Sequence, residues 1–294
     1  MIIALNNSDK TNFPNLALMK LSAYHKAKGD DVEWYMPIMS QIYDKVYSSK
    51  VFTFTQENSL LGNVIKGGTG YNLFNNLPEE IEHTCPDYSL YPEFKSALGF
   101  LTRGCPNKCK WCIVPKKEGN IKPNADIEEF LDNRKTAVLM DNNILASEYG
   151  LKQIEKIIDL KIKVDFNQGL DARIIADNKQ IAELLAKTKW IRFIRMACDN
   201  KKQMKYIEKA LQNLNEFGVK NYRIFVYILV TDLDDAMERA IFLRELNTSP
   251  FAQPYRDFDN NIIPSWEQRK FARWVNIKQA FKTMPFETFK TLKG

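Results

Sequence analysis

Ala97-Leu98-Gly99-Phe100-Leu101-Thr102-Arg103-Gly104-Cys105-Pro106-Asn107-Lys108-Cys109-Lys110-Trp111-Cys112 is the stretch on which the reading of the fold turns. Its first seven residues form an apolar strand pattern, and Gly104 then opens a tight loop with cysteines at i, i+4 and i+7. From here towards the C-terminus strand and helix signals alternate. Strands are predicted at 97–103, 136–142, 163–167, 190–196, 222–230 and 250–255. Helical segments follow at about 126–134, 147–160, 178–188, 200–217, 232–246 and 265–276, with the 3.6-residue period clearest in Met204, Ile207, Leu211 and Leu214. Successive βα units joined by right-handed crossovers curl a parallel sheet. Six of them predict a partial (β/α)6 barrel over 96–262, open on one side, with its chemistry at the C-terminal strand ends where the cysteine loop falls.

Towards the N-terminus the pattern is shorter. Ile2 to Leu5 reads as a strand, Asn15 to Lys28 as a helix stopped by Gly29, and Val32 to Met36 and Lys50 to Phe54 as further strands. Val64 to Lys66 then leads into Gly67-Gly68-Thr69-Gly70. This predicts a small, shortened open parallel α/β domain over 1–71, able to hold a ligand at its strand ends. Residues 72–95, with Pro78, Pro86 and Pro92, read as a connector, and 263–294 as a basic, aromatic helical extension. The fold class is α/β throughout.

With 45% hydrophobic and 27% charged residues in 294, and only 12 Gly and 12 Pro, the composition excludes disordered, collagen-like and low-complexity chains. The longest apolar run, Ile224 to Val230, falls far short of the roughly 18 residues that cross a bilayer. No basic n-region precedes a long apolar segment at the N-terminus, so the expectation is a cytoplasmic protein without a membrane partner. A net charge of +6 permits an anionic partner without demanding one.

Three of the five cysteines sit within eight positions, too few for a disulfide scaffold and clustered as metal ligands are. Three thiolates on one loop can hold three irons of a [4Fe-4S] cube and leave the fourth iron without a protein ligand. The competing reading is a structural zinc site. That wants four ligands, usually from paired C-x2-C knuckles, and the remaining candidates are Cys85, Cys198, His25 and His83, with no second knuckle.

The C-x3-C-x2-C loop, with Trp111 before its last cysteine, and the six β/α units after it make residues 97 to 255 resemble the radical S-adenosylmethionine (SAM) superfamily. The resemblance implies that Cys105, Cys109 and Cys112 ligate a [4Fe-4S] cluster. It also implies that the open iron chelates SAM, and that reductive cleavage yields a 5′-deoxyadenosyl radical that abstracts hydrogen from a substrate. A reducing partner of flavodoxin or ferredoxin type follows from it. Where relatives carry Gly-Gly-Glu after the second strand, this chain has Asp141-Asn142-Asn143, so Asp141 or Asn142 is the candidate acceptor for the SAM amino group. An ordinary strand-end turn is the alternative there. Arg173, just past the third strand, suits a two-point contact with the SAM carboxylate, or else a surface ion pair. The fifth strand, ending at Val230, falls where relatives hold adenine, although an apolar strand is first of all core. Cys198, at the end of strand four, is a candidate radical-chemistry thiol or a buried small hydrophobe.

The β-α-β opening before such a barrel also resembles the cobalamin-associated branch of that superfamily, with Gly67 to Gly70 where a glycine pair faces the corrin. The Asp-x-His-x-x-Gly motif is missing, since Asp9-Lys10-Thr11 has no histidine, and the domain is short. Cobalamin is therefore admitted but not favoured. His25 is expected on the solvated side of the first helix and His83 in the connector. In the tail, Arg269, Lys270, Arg273 and Lys282 interleave with Phe271, Trp274, Phe281 and Phe289, which suits either single-stranded nucleic acid or an amphipathic helix packing its aromatics inward. The sequence thus predicts a radical SAM enzyme acting on an unidentified substrate, with nucleic acid or peptide as candidates. The alternative is a non-catalytic iron-sulfur or cofactor-binding module.

Overall fold

The computed structural model describes residues 1–57, 59–257, 260 and 262–290. The chain divides into two compact units, one of residues 1–99 and 125–137, the other of 100–124 and 138–294. Among the described residues no helix is long and apolar enough to cross a membrane.

In the first unit, strands β1 (Ile2–Asn7), β2 (Asp31–Trp34), β3 (Lys45–Ser49) and β4 (Val64–Gly67) form a parallel sheet in the order β2-β1-β3-β4. Helix α1 (Leu16–Ala27) connects β1 to β2, and the Asn15 side chain caps it by accepting from the Leu18 N–H. The strand expected at Lys50 to Phe54 lies five residues earlier. Residues 50–54 are a loop because the Asp9 carboxylate binds the Val51 and Phe52 N–H groups and the Thr55 hydroxyl, replacing a sheet ladder with side-chain bonds. His25, expected in water, is 3% exposed. Its Nδ1 meets Asp30 at 2.6 Å and its Nε2 meets the Tyr47 hydroxyl at 3.0 Å, so α1 lies on the sheet with this face inward. The short helix α2 (Glu79–Glu82) and strand β5 (Ala97–Gly99) complete the first run of the chain.

The second unit begins where the expected strand 97–103 breaks. β6 (Thr102–Arg103) forms an antiparallel ribbon with β7 (Lys122–Pro123), and the cysteine loop and helix α3 (Val114–Lys117) lie between them. Residues 125–137 return to the first unit with helix α4 (Ile127–Leu131), and the division passes through β8 (Thr136–Leu139). The end of β8 neighbours β9 (Lys163–Phe166), with helix α5 (Glu148–Asp159) between them in sequence. Helices α6 (Ala172–Asp177) and α7 (Lys179–Lys187) lead to β10 (Lys189–Trp190), which pairs with β9 in parallel. A parallel sheet β11-β12-β13 follows: β11 (Ile194–Ala197), β12 (Ile224–Val230) and β13 (Ser249–Pro254), with helices α8 (Met204–Glu216) and α9 (Leu233–Glu245) as crossovers. An isolated parallel bridge, Leu170 to Met196, links the chain just past β9 to β11.

Among the described residues no sheet closes, so the architecture is α/β with separate, mainly parallel sheets. Along β12 burial alternates: Ile224, Val226, Ile228 and Val230 are fully buried, while Phe225, Tyr227 and Leu229 face a half-open side. Helices α10 (Trp266–Asn276) and α11 (Lys278–Thr283) close the described chain. Ser265 and Gln268 form a capping box at α10, and the Asn276 amide brackets the Ala252 peptide on β13. Phe271, Trp274, Phe281 and Phe289 are buried, with Trp274 and Phe281 ring centroids 4.8 Å apart. These rings are packed and do not offer a stacking surface to nucleic acid.

Candidate active site

The cysteine loop is built from its base. Gly104 has φ +82°, and a Cβ there would stand 2.3 Å from the Asn120 carbonyl oxygen, so only glycine lets the two arms of the loop approach. Cys105 N–H donates to the Gly119 carbonyl at 3.1 Å. The Glu118 carboxylate accepts from the Gly104 N–H at 3.0 Å, from Asn142 Nδ2 at 2.8 Å and from Arg103. A single acidic side chain, which motif reading passed over, therefore joins both ends of the loop to the strand end after β8.

Asp141 is turned inward. It is buried, and its carboxylate accepts from the Leu101 N–H, the Thr102 N–H and the Thr102 hydroxyl. This capture of two backbone donors is what breaks the expected strand at residue 100. Burial outweighs these bonds and pushes the Asp141 carboxyl up to about 6. Asn142 turns its Nδ2 to Glu118, which leaves its Oδ1 as an acceptor.

Asp171, also passed over, organises the other side of the loop. Its carboxylate takes a two-point contact from Arg173, with Nε at 2.8 Å and Nη2 at 2.7 Å, and further bonds from Asn107 Nδ2 at 3.0 Å and Asn143 Nδ2 at 3.3 Å. Asp171 is half-wrapped by protein, and this burial opposes ionisation; the Arg173, Asn107 and backbone bonds win and hold its carboxyl below the usual range. The fork expected to meet a SAM carboxylate is thus closed on a neighbouring aspartate. Asn143 also directs its Nδ2 at Cys105 Sγ, 3.6 Å away.

The thiols of Cys105, Cys109 and Cys112 lie close enough to act on one another. Burial first, then the neighbouring thiols, pushes Cys109 up, while Arg173 pulls it down. Among the described residues, no three His, Cys, Asp or Glu side chains stand gathered as a ready metal-holding group. The donor chemistry nonetheless fits a cluster: three thiols on one loop, an N–H donor at one sulfur and an arginine nearby to offset thiolate charge. The zinc alternative gains nothing from the histidines, since His25 is held by Asp30 and Tyr47 and His83 meets Glu129 at 3.1 Å.

Beside the loop is a cavity of about 330 Å³, in the range of small-ligand sites, whose wall includes Trp111, Asn167, Asp199, Tyr227, Leu229 and Gln253. Trp111 belongs to the cysteine loop and the others to strand ends, so loop and cavity share a wall. Tyr227 is fixed there: its hydroxyl donates to the Asn167 carbonyl at 2.9 Å and accepts from Arg195, which forks onto Asp165. Asp199 accepts from the Leu229 N–H at 3.1 Å, and burial raises its carboxyl.

Val230 does not reach this cavity. It is fully buried, and its carbonyl is taken by Tyr255 N–H and Gln268; the cavity meets β12 at residues 227–229 instead. Cys198, expected at the rim, is fully buried with its thiol pushed up to about 12. Its carbonyl accepts from Arg239, the largest fully buried side chain among the described residues. Its burial matches the small hydrophobe of the two readings, and its neighbour Asp199 lines the cavity.

The site is a thiol loop beside a small-ligand cavity at the C-terminal ends of parallel strands, in a mixed α/β fold. No family model matches the sequence, and no curated protein matches it significantly. Among solved structures, the fold is similar to that of the cobalamin-dependent S-adenosylmethionine radical enzyme OxsB, determined with aqua-cobalamin and S-adenosylmethionine bound. The TM-score is 0.56, the identity 15%, and the match covers 99% of this chain. The chain spans 56% of the length of that protein.

Proposed function

We propose that this chain is a radical SAM enzyme, with Cys105, Cys109 and Cys112 holding a [4Fe-4S] cluster and SAM lying in the cavity beside Trp111. The observation that carries the reading is the shared wall of that cavity, part cysteine loop and part parallel strand ends. When bound, the cluster supplies the electron that cleaves SAM reductively. The chain's own residues do the rest. Asn143 donates to a cysteine sulfur, and Gly104, Glu118 and Asp171 fix the loop. Arg173 lines the neighbouring cleft and would reach the SAM carboxylate from there with Nη1, since Asp171 has taken Nε and Nη2, so the contact is one-point where the sequence suggested two. Asn142 Oδ1 is the acceptor assigned to the SAM amino group, in place of Asp141. Tyr227 and Leu229 form the apolar wall against adenine, with Asp199 at its polar edge. We further read the arc from β8 through β9 and the Leu170–Met196 bridge to β13 as the partial barrel of this enzyme class.

The test is anaerobic reconstitution followed by SAM and dithionite. About four irons per chain and formation of 5′-deoxyadenosine are expected, both lost in Cys105→Ala, Cys109→Ala or Cys112→Ala. Stoichiometric zinc without iron in anaerobically purified protein would overturn the reading.

A further inference from the structure

A second cleft, of about 520 Å³, lies at the start of α8, and its wall includes Arg173, Asn200, Lys201, Lys202, Lys205 and Tyr206. Among the described residues no Asp or Glu lines it. Two of its cations are already compensated, Arg173 by Asp171 and Lys201 by Glu238. Lys202 and Lys205 have no carboxylate partner among the described residues; Lys205 rests over the Tyr206 ring, 4.9 Å from its centroid. The cleft therefore keeps an excess of two positive charges, the complement of one phosphate dianion. Asn200 adds a second, uncharged signal. It stands where a helix cap would, yet its side chain caps nothing, and its Oδ1 is buried without a hydrogen-bond partner. A buried acceptor of this kind wants a donor, and a hydroxyl next to a phosphate ester would supply one once the Asn200 side chain turns its Oδ1 into the cleft.

The cleft adjoins the catalytic cavity through consecutive residues: Asp199 lines the cavity and Asn200 lines the cleft. We propose that this cleft binds the phosphate of a phosphate-monoester substrate whose remaining part extends past Asp199 towards the SAM cavity. The identification of the occupant as substrate rests on the radical SAM reading; the affinity for phosphate does not.

The test titrates inorganic phosphate into the anaerobically reconstituted full chain by calorimetry, at low ionic strength, without SAM or reductant. Saturable binding of one phosphate per chain is expected. Lys202→Gln combined with Lys205→Gln should weaken it about tenfold or more, because both uncompensated charges are gone. Lys202→Arg with Lys205→Arg should retain it, which separates charge from misfolding. A ten-residue single-stranded oligonucleotide serves as the second probe. If its affinity falls with salt as for about two neutralised phosphates or fewer, the single-phosphate site stands. A slope reporting many phosphates would assign the cleft to a nucleic-acid backbone and overturn the proposal. Phosphate that fails to saturate, or that binds the double Gln variant equally well, would also overturn it. Because SAM is absent from these titrations, loss of 5′-deoxyadenosine formation would remove the radical SAM reading and leave this result standing.

Discussion

Asp141 shows how a single side chain sets the geometry of the loop. It satisfies three buried donors on Leu101 and Thr102. Asp141→Ala should cost about 3 kcal/mol, the scale of leaving several buried donors unpaired, read as a lower urea midpoint with an unchanged slope. Iron uptake should fall with it, since Thr102 and Arg103 carry the loop. Arg173→Ala acts differently. It leaves Asp171 without its countercharge in a half-buried site, so SAM affinity should fall about tenfold while iron content is largely kept, as measured by 5′-deoxyadenosine formed across a SAM titration. An unchanged half-saturation point would confine Arg173 to its pair with Asp171. At this scale the three cysteines could be read from the sequence because their spacing is itself the chemistry. The roles of Asp141, Arg173 and His25 could not, because each is decided by a partner that spacing does not reveal: Leu101 and Thr102, Asp171, and Tyr47.

At the scale of elements, capping and periodicity made the helices readable to within a few residues: Ser147, Asn178, Asp232 and Ser265 each cap the helix that the pattern places after them. The additional helix Ala172–Asp177 was hidden because its six residues are too few to establish a period. The strand misplaced to 50–54 failed for a different reason. Val51, Phe52 and Phe54 look like strand residues but are exposed, and the loop exists because Asp9 holds it. Asp9→Ala should free this loop and raise chymotrypsin cleavage after Phe52 or Phe54 about tenfold, as expected when local opening becomes easier by one charge-assisted hydrogen bond. Helix α1 is tied to the following segment by Ser22 and Lys26, both bound to Asp87. Although burial opposes ionisation, these bonds and those from Ser89 bring the Asp87 carboxyl down to about 2. A lowered carboxylate stabilises the fold above the unfolded value near 3.9, and that contribution disappears as pH falls through about 2. Since Lys26 is solvent-screened, it is on the order of 1 kcal/mol. Asp87→Asn should lower the melting temperature at pH 7, and the difference should shrink markedly by about pH 2.

Over the whole molecule, the similarity to OxsB spans both units, and OxsB was determined with cobalamin as well as SAM bound. An identity of 15% carries the fold and leaves the cofactor to be decided by this chain's residues. The sheet order β2-β1-β3-β4 puts the topological switch point between β1 and β3, the crevice where open α/β sheets bind ligands. Here the chain fills that place with its own side chains. Ser8 and Ser48 are 3.1 Å apart, Asn6 Nδ2 donates to both at 3.0 Å, and the Tyr71 hydroxyl meets Ser48 at 2.9 Å. The nearby glycines serve the same closure: a Cβ at Gly68 would stand 2.4 Å from the Lys50 carbonyl oxygen, and one at Gly70 would stand 2.7 Å from that of Phe52. These glycines let the chain approach itself, so their presence is no evidence for a corrin face. Free hydroxocobalamin should therefore bind weakly, because a corrin would have to displace Tyr71 and break a part-buried network of several neutral hydrogen bonds, each contributing about 1 kcal/mol. The measurement is gel filtration of reconstituted protein mixed with hydroxocobalamin, followed by visible spectroscopy of the protein peak. Emergence of the protein free of cobalamin is the expected result. Co-elution with a shifted spectrum would mean that the β1–β3 crevice opens, and Tyr71→Phe, which removes the hydroxyl from Ser48 and keeps the ring, should then tighten that complex.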